Sequence, residues 1–342
     1  MTTYKRPILY GPGDLRMEED TLDTDNLAPD EVWVQTTVSA LKIGTDRGNY
    51  EGAERVPGAP DYPRGVGDSN LGVVRGVGSA VKHLAVGDRV ISGTWHQSMY
   101  IMQAGEDPAK VPDGADPEDA VYGNLYALSA LCYHKALFRP GETVAVVGLG
   151  TLGLGAVALG PLFGARTVAL GNSDIRLRAA RTMGAHEALM SDDPELDAKL
   201  DRFSDGRGID LVILTANPWP AYRTSLEIVR RDGRVAIVSL LGRGEEDLDF
   251  NPLAMQLFYD KAVTLIAVSG GDPSLYPRPA ELSGTAAGTR HHRPHVLQLM
   301  ADGVLRPSKL ITHRLHYTEM QQAYDMAFKR DKTMMNLSLI HI

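Results

Sequence analysis

The chain of 342 residues has a single cysteine, Cys132. One thiol excludes an intramolecular disulfide and any thiolate metal cluster. Aromatic residues make up only 6%, and basic residues are outnumbered, 35 Lys and Arg against 43 Asp and Glu, for a formal net charge of −8. That deficit argues against nucleic acid as a natural partner, because such binders concentrate Lys and Arg. The opening residues, "MTTYKRPILYGPGD", contain no apolar stretch of the secretory kind. Long hydrophobic runs are scarce too. Residues 144–165, "VAVVGLGTLGLGAVALGPLFGA", are uncharged and long enough for a membrane span. Glycines at 148, 150, 153, 155, 160 and 164, with Pro161, fit a strand, a turn and a buried helix better. The expectation is a cytoplasmic enzyme acting on a small molecule, with neither membrane nor nucleic acid as partner.

What is present is a core. Hydrophobic residues make up 43% of the chain, enough for two domains. The first part carries short strand signals: "EVWVQTTVSAL" (31–41) alternates apolar and polar residues, and "LGVVRGVGSAV" (71–81) and "GDRVISGTW" (87–95) are β runs punctuated by glycine. After about residue 124 strands alternate with helical stretches: "TVAVVG" and a helix, "TVALG" and "DIRLRAARTMGA", "IDLVILTA" and "AYRTSLEIVRRDG", "RVAIVSL", then "AVTLIAVSG". This alternation implies βαβ units on a parallel sheet. Beyond 270 the chain reads as a loop, followed by the short amphipathic helices "HVLQLMADG" and "YTEMQQAYDMAFKRD" around a strand-like "KLITHRL".

"VAVVGLGTLG" holds Gly148-Leu149-Gly150-Thr151-Leu152-Gly153, a GxGxxG between a strand and a helix-length run. Gly148 permits the tight turn, Gly150 lets the backbone approach a pyrophosphate, and Gly153 lets the helix pack on the sheet. The helix N-terminus then faces the phosphates, and Pro161 should kink the helix near its end. In the NAD-binding form of this motif, an acid about 20 residues on bonds the ribose 2′-OH. That place holds Gly171, followed by Asn172 and Ser173, with Arg176 nearby. The missing carboxylate leaves room for a 2′-phosphate, so the expected cofactor is NADP(H). The alternative is that Gly171 is only a turn residue and the ribose is held loosely. Thr215, at the end of "IDLVILT", completes the expected cofactor-binding set.

The order of these parts, with "GVGSAVKHLAVGDRV" (75–89), "KVPDGADPEDA" (110–120), "RPGETVAVVGLGTLG" (139–153) and "SLEIVRRDGRVAIVSLLG" (225–242), resembles the medium-chain dehydrogenase/reductase superfamily over nearly the whole chain. The resemblance implies an α/β protein: a Rossmann doubly wound parallel sheet over about 125–267, and a discontinuous β-rich GroES-like catalytic domain from 1–124 and 268–342. It also implies a homodimer, formed where "AVTLIAVSG" (262–270) pairs with its twin. Zinc-dependent members hold the catalytic metal with a Cys, a His-Glu pair, and an acid or Cys just before the nucleotide domain. Here Ile43 stands in the Cys place, Asp68 and Ser69 in the His-Glu places, and Asn124 or Gly123 at the last. The lobe with four structural cysteines is absent. A catalytic zinc needs three N, S or O ligands, so no metal is expected. The chain thus resembles a subgroup lacking the zinc ligands, similar to bacteriochlorophyllide dehydrogenase and related alcohol-dehydrogenase-like proteins.

Without zinc, side chains must stabilise the developing oxyanion. Thr45 matches the Ser/Thr that relays a proton in zinc members. Asp46 follows it as a catalytic acid or a structural cap. Lys42 could donate to an oxyanion or be a solvated surface lysine. His96 in "TWHQS" has an ordinary pKa suited to proton transfer near neutrality, or is a packed loop histidine. Tyr50, Asp68, Trp95 and Asn124 complete a polar-aromatic pocket, with Tyr122 beside it. The run "TRHHRPH" (289–295) reads as a solvated basic loop; Arg290 and Arg293 could instead meet an anionic group. The expected reaction is NADPH-linked interconversion of a ketone and a secondary alcohol. Two alternatives stand: reduction of a conjugated C=C bond, and a non-catalytic NADPH-binding protein.

Overall fold

The computed structural model describes residues 1–52, 61–105, 108–242, 245–269, 289–329 and 333–341. Contacts divide the chain into two compact units, Met1–Asn124 with Arg293–Ile342, and Leu125–His292.

The first unit opens with a hairpin that the strand signals above did not include. β1 (Thr2–Gly11) and β2 (Asp14–Leu22) pair antiparallel around Pro12-Gly13, where Gly13 takes a positive φ of 75°. β3 (Glu31–Leu41) follows; its alternation puts Val32, Val34, Thr36 and Val38 inward. α1 (Ile43–Glu51) leads on to β4 (Arg64–Gly65), β5 (Asn70–Val77), β6 (Arg89–Ser92), β7 (Met99–Gln103) and β8 (Ala109–Lys110). Two helices close this part, α2 (Pro117–Ala120) and α3 (Gly123–Lys135), the latter running into the second unit.

The second unit is a succession of strands and helices: β9 (Thr143–Val147), α4 (Thr151–Leu162), β10 (Arg166–Gly171), α5 (Asp174–Thr182), β11 (Glu187–Met190), α6 (Leu196–Phe203), β12 (Ile209–Leu214), α7 (Trp219–Ile228), β13 (Val229–Ile237) and β14 (Thr264–Ala267). The six strands are parallel in the order β11-β10-β9-β12-β13-β14. Counting from β9, that is the 3-2-1-4-5-6 order of a dinucleotide-binding sheet. Central β9 is buried at all five positions, as a strand covered on both faces must be. The helix expected over "AYRTSLEIVRRDG" stops at Ile228, because Val229 is already paired with Ile209 of β12. Pro161 lies one residue before the end of α4, where a missing N–H removes a single helical bond. No helix among the described residues is long and apolar enough to cross a membrane.

The chain returns to the first unit at Arg293, inside α8 (Thr289–Ala301). This corrects the loop expected at 289–295. Val296, Leu297 and Met300 are buried and anchor that segment as a helix despite Pro294. His291 and His292 pack edge-on against His134, and Arg293 is buried. Residues 270–288, the rest of the expected loop, lie outside the described residues. β15 (Ile311–His316), α9 (Met320–Phe328) and β16 (Asn336–Ile340) complete the fold. β16 lies between β15 and β3 in a seven-stranded sheet, so the far end of the chain supplies an interior strand of the first unit.

Candidate functional site

Candidate residues gather in two places, one in each unit. In the second unit, the turn between β9 and α4 is shaped by close backbone approach. Gly148 has φ 98°. A Cβ on Gly153 would lie 1.9 Å from the Gly148 carbonyl oxygen, whereas one on Gly150 would meet nothing within 4 Å. The first clash demands glycine for packing; the open space at Gly150 is what a bulky anion requires. No side chain caps α4 at Gly150, and Thr151 opens the helix behind it. Thr215 Oγ1 donates to the Gly148 carbonyl at 2.8 Å and Ser129 Oγ to that of Leu152 at 2.8 Å, which pins the turn.

β10 ends on Gly171. Its φ is not among the positive values, so conformational freedom does not explain the glycine. A Cβ there would come 2.7 Å from Leu149 Cδ1, so a side chain would require the tip of Leu149, the middle residue of the Gly148-Leu149-Gly150 turn, to shift. Asn172 is exposed, and Ser173 is the N-cap of α5. Arg176, in the first turn of α5, donates from Nη1 to the Leu149 carbonyl at 2.7 Å. Burial lowers its guanidinium pKa, and no described carboxylate pairs with it. A half-buried cation whose only partner among the described residues is a carbonyl suits a further anion.

In the first unit, Lys42 is the N-cap of α1. Its Nζ reaches Asp68 Oδ2 at 2.8 Å. Its backbone N–H donates to Asp46 Oδ2 at 2.7 Å, so Asp46 reaches back to cap its own helix. Tyr324, on α9, donates its hydroxyl to Asp46 Oδ1 at 3.1 Å. Asp46 is fully buried; desolvation first, and the nearby Asp68 charge second, push its pKa up to about 7. The expectation left open whether Asp46 is a cap or a catalytic acid. The geometry is that of a cap, with an acidity displaced toward neutrality.

His96 is fully buried, and both ring nitrogens lack a partner among the described residues. Burial pushes its pKa down to about 4, with Lys42 opposing protonation and Asp68 favouring it. The imidazole is therefore neutral near pH 7, where the sequence suggested an acid–base group titrating near neutrality. Its position is set by Gly67, φ 83°, whose Cβ would fall 2.3 Å from the ring. Asn70 donates to the Thr94 carbonyl at 2.7 Å, Thr94 Oγ1 at 2.9 Å and the Trp95 carbonyl at 2.6 Å, fixing the loop before His96. The Trp95 indole lies against Gly65 and is partly exposed.

Other expected members lie elsewhere. The Tyr50 hydroxyl donates to Asp325 at 2.8 Å and receives Gln321 at 2.6 Å, so it belongs to the contact between α1 and α9. Tyr122 is buried. Thr45 is exposed on α1. Asn124, second in α3, has a buried Oδ1 without a described partner. Sequence reasoning missed Tyr324, Asn70, Leu149 and His341, the last 2.9 Å from Ser39 Oγ and stacked on Tyr317. Tyr324 is 278 residues from Asp46, and no local pattern could have linked them. No group of three or more His, Cys, Asp or Glu side chains among the described residues could hold a metal ion.

A β-rich unit and a glycine-turn parallel sheet of order 3-2-1-4-5-6 define a dinucleotide-linked oxidoreductase fold. The comparisons agree. The family described as "Zinc-binding dehydrogenase" matches residues 151–283. Sorbitol dehydrogenase of Bacillus subtilis is 23% identical over 358 residues, covering 95% of this chain and 94% of that protein. The NADP-dependent isopropanol dehydrogenase of Thermoanaerobacter brockii is 29% identical over 216 residues, covering 53% of this chain and 61% of that one. Among solved structures, galactitol-1-phosphate dehydrogenase of Escherichia coli superposes with a TM-score of 0.81 at 21% identity, covering 98% of this chain and 99% of the other. The chain is thus similar over nearly its whole length to dehydrogenases of the medium-chain, alcohol-dehydrogenase-like kind, and its second unit matches that family's model.

The Asp46 shift gives a stability prediction. A carboxyl whose folded pKa is raised favours folding at low pH and loses that contribution as pH rises from its ordinary value, 3.8, through about 7. An Asp46→Asn variant keeps an acceptor for the Lys42 N–H and cannot ionise. Wild type should therefore lose stability relative to the variant between about pH 4 and pH 8, by about 1 kcal/mol or more at the alkaline end. Urea midpoints across that range provide the measurement, and parallel profiles would contradict the shift.

Proposed function

We propose that this protein is a zinc-independent, NADP(H)-linked oxidoreductase that interconverts a ketone and a secondary alcohol on a small polar or cyclic metabolite. The observation that carries the cofactor choice is Arg176, a half-buried guanidinium tied to the glycine turn beside a strand that ends without an acid. The pyrophosphate would lie over Gly148, Gly150 and the start of α4, and the 2′-phosphate by Arg176, Asn172 and Ser173. When bound, the nicotinamide supplies or accepts the hydride. A similar protein from Thermoanaerobacter brockii carries NADP dependence in its name, which supports the same reading.

Zinc independence rests on donor chemistry. Ile43 has no lone pair to offer. Asp68 is held by Lys42, and Ser69 and Asn124 are neutral oxygen donors. Zinc normally takes Cys and His ligands with set geometry. The substrate's proton traffic falls to neutral His96, exposed Thr45 and the Lys42–Asp68 pair.

The cofactor test is Arg176→Ala. A charge-assisted phosphate contact is worth about 1.5–3 kcal/mol, so NADPH affinity should fall about tenfold or more, while NADH, which lacks the 2′-phosphate, should change far less. Gly171→Asp is the poorer probe, since its side chain would displace Leu149. Fluorescence titration of both cofactors reads the ratio, and equal losses would defeat the assignment. For the reaction, NADPH oxidation is followed with cyclic ketones, enones and quinones before and after exhaustive chelation. Turnover of ketones unaffected by chelation is the expected result. Stoichiometric zinc whose removal abolishes activity would overturn the metal claim, enone turnover alone would favour C=C reduction, and inertness with NADPH bound would mark a binding protein.

A homodimer is part of the same proposal. β14 is the edge of the six-stranded sheet, with Leu265 and Ile266 only partly covered. Exposed apolar edges favour pairing, and twofold dimers are the commonest assembly. Light scattering should return twice the monomer mass of 37.1 kDa. A monomer at working concentration would remove the dimer.

A further inference from the structure

We propose that Lys42 is a catalytic residue: its ammonium group binds the substrate's carbonyl oxygen and donates the proton that completes reduction, taking over the charge that a metal ion supplies in zinc-dependent relatives. This deepens the reading of a zinc-independent oxidoreductase and rests on it for the reaction.

Four observations carry it. Lys42 immediately precedes Ile43, which stands in the Cys place, and it pairs at 2.8 Å with Asp68, which stands in the His place, so a cation and an anion meet where two of the expected ligands are missing. The lysine is held at both ends: the backbone N–H by Asp46 and the ammonium by Asp68. Its side chain is 17% exposed, so it is largely dry without being sealed off. Finally, the surroundings contain polar atoms in want of partners. Asp68 Oδ1 and both nitrogens of buried His96 have none among the described residues, and such groups are normally satisfied by a ligand or ordered water.

An ammonium has three N–H bonds. One is directed at Asp68 Oδ2, which orients the group and leaves donors for an incoming oxygen. With a reduced nicotinamide bound, its hydride would form the new C–H bond and the C=O π pair would move onto oxygen. That oxygen takes a proton from Lys42 Nζ. The N–H pair remains on the amine, which recovers a proton from water. Oxidation runs the same steps in reverse. The preorganised charge acts where charge develops, and removing one such donor from a dry site typically costs about 10²–10³ in kcat.

Three variants and one binding measurement test this. Lys42→Ala should lower kcat at least about 100-fold, with NADPH affinity and the urea midpoint little changed. Added ethylammonium should restore part of the lost rate, which a merely structural ion pair would not allow. Lys42→Arg should retain more activity than Lys42→Ala, because charge survives while the point geometry does not. Asp68→Asn should lower kcat less, since it loosens the ammonium without removing it. Independently of turnover, trifluoroethanol should bind the wild-type complex with NADP⁺ by accepting an N–H from the Lys42 ammonium, and Lys42→Ala should weaken that binding about tenfold or more. An active wild type whose Lys42→Ala variant keeps its kcat within about threefold, or loses it without amine rescue, overturns the role of Lys42 and leaves the oxidoreductase reading standing. An inert wild type that still binds trifluoroethanol through Lys42 defeats the reaction and supports the site. Equal trifluoroethanol binding by wild type and Lys42→Ala overturns the site whatever the activity.

Discussion

The first unit depends on one buried carboxylate. Asp46 holds the Lys42 backbone, takes the Tyr324 hydroxyl and feels the charge of Asp68. Those groups come from three separated stretches of chain, so a single side chain ties the start of α1 to a helix near the far end. Desolvation makes that arrangement costly for an ionised acid, which is why its acidity moves toward neutrality. The stress is local. It sits beside the Lys42–Asp68 pair, whose charges also act on the buried, neutral imidazole of His96. Concentrations of displaced acidity and unmatched polar atoms of this sort cluster at functional sites.

The second unit works by exclusion of side chains. Gly153 is required because the helix closes on the Gly148 carbonyl, and Gly148 because the backbone there is left-handed. Gly171 fits the same logic from the neighbouring strand, where Leu149 fills the space a side chain would use. The missing ribose-binding acid has an electrostatic consequence. With no carboxylate at the strand end, the cation nearest the turn is Arg176, and it remains unneutralised by any described acid.

The discontinuity of the first unit follows from its sheet. β16 lies between β15 and β3, so the sheet is complete only when the last strand has been added. Tyr324 reaches Asp46 from α9, which precedes that strand, and His341, which follows it, meets Ser39 of β3. A unit whose polar centre is assembled from both ends of the chain has high contact order, and its members cannot be found by inspecting neighbours in sequence.

Period and glycine spacing alone determined much. Alternation over 31–41 is strand β3, the strand–helix rhythm beyond 124 is the parallel sheet, and GxGxxG is the turn it resembles. These features are local, with their physical causes confined to a few adjacent residues. The turn signal Pro12-Gly13 between β1 and β2 is likewise local. Tertiary structure decided the rest. It made 289–295 a helix, because buried Val296, Leu297 and Met300 outweigh a proline in an early turn. It moved Tyr50 into a contact with α9, made His96 neutral by burying it, and paired Lys42 with Asp68. Burial and ion pairing are properties of distance in space, and a sequence shows only which charges exist, not which of them water is kept away from.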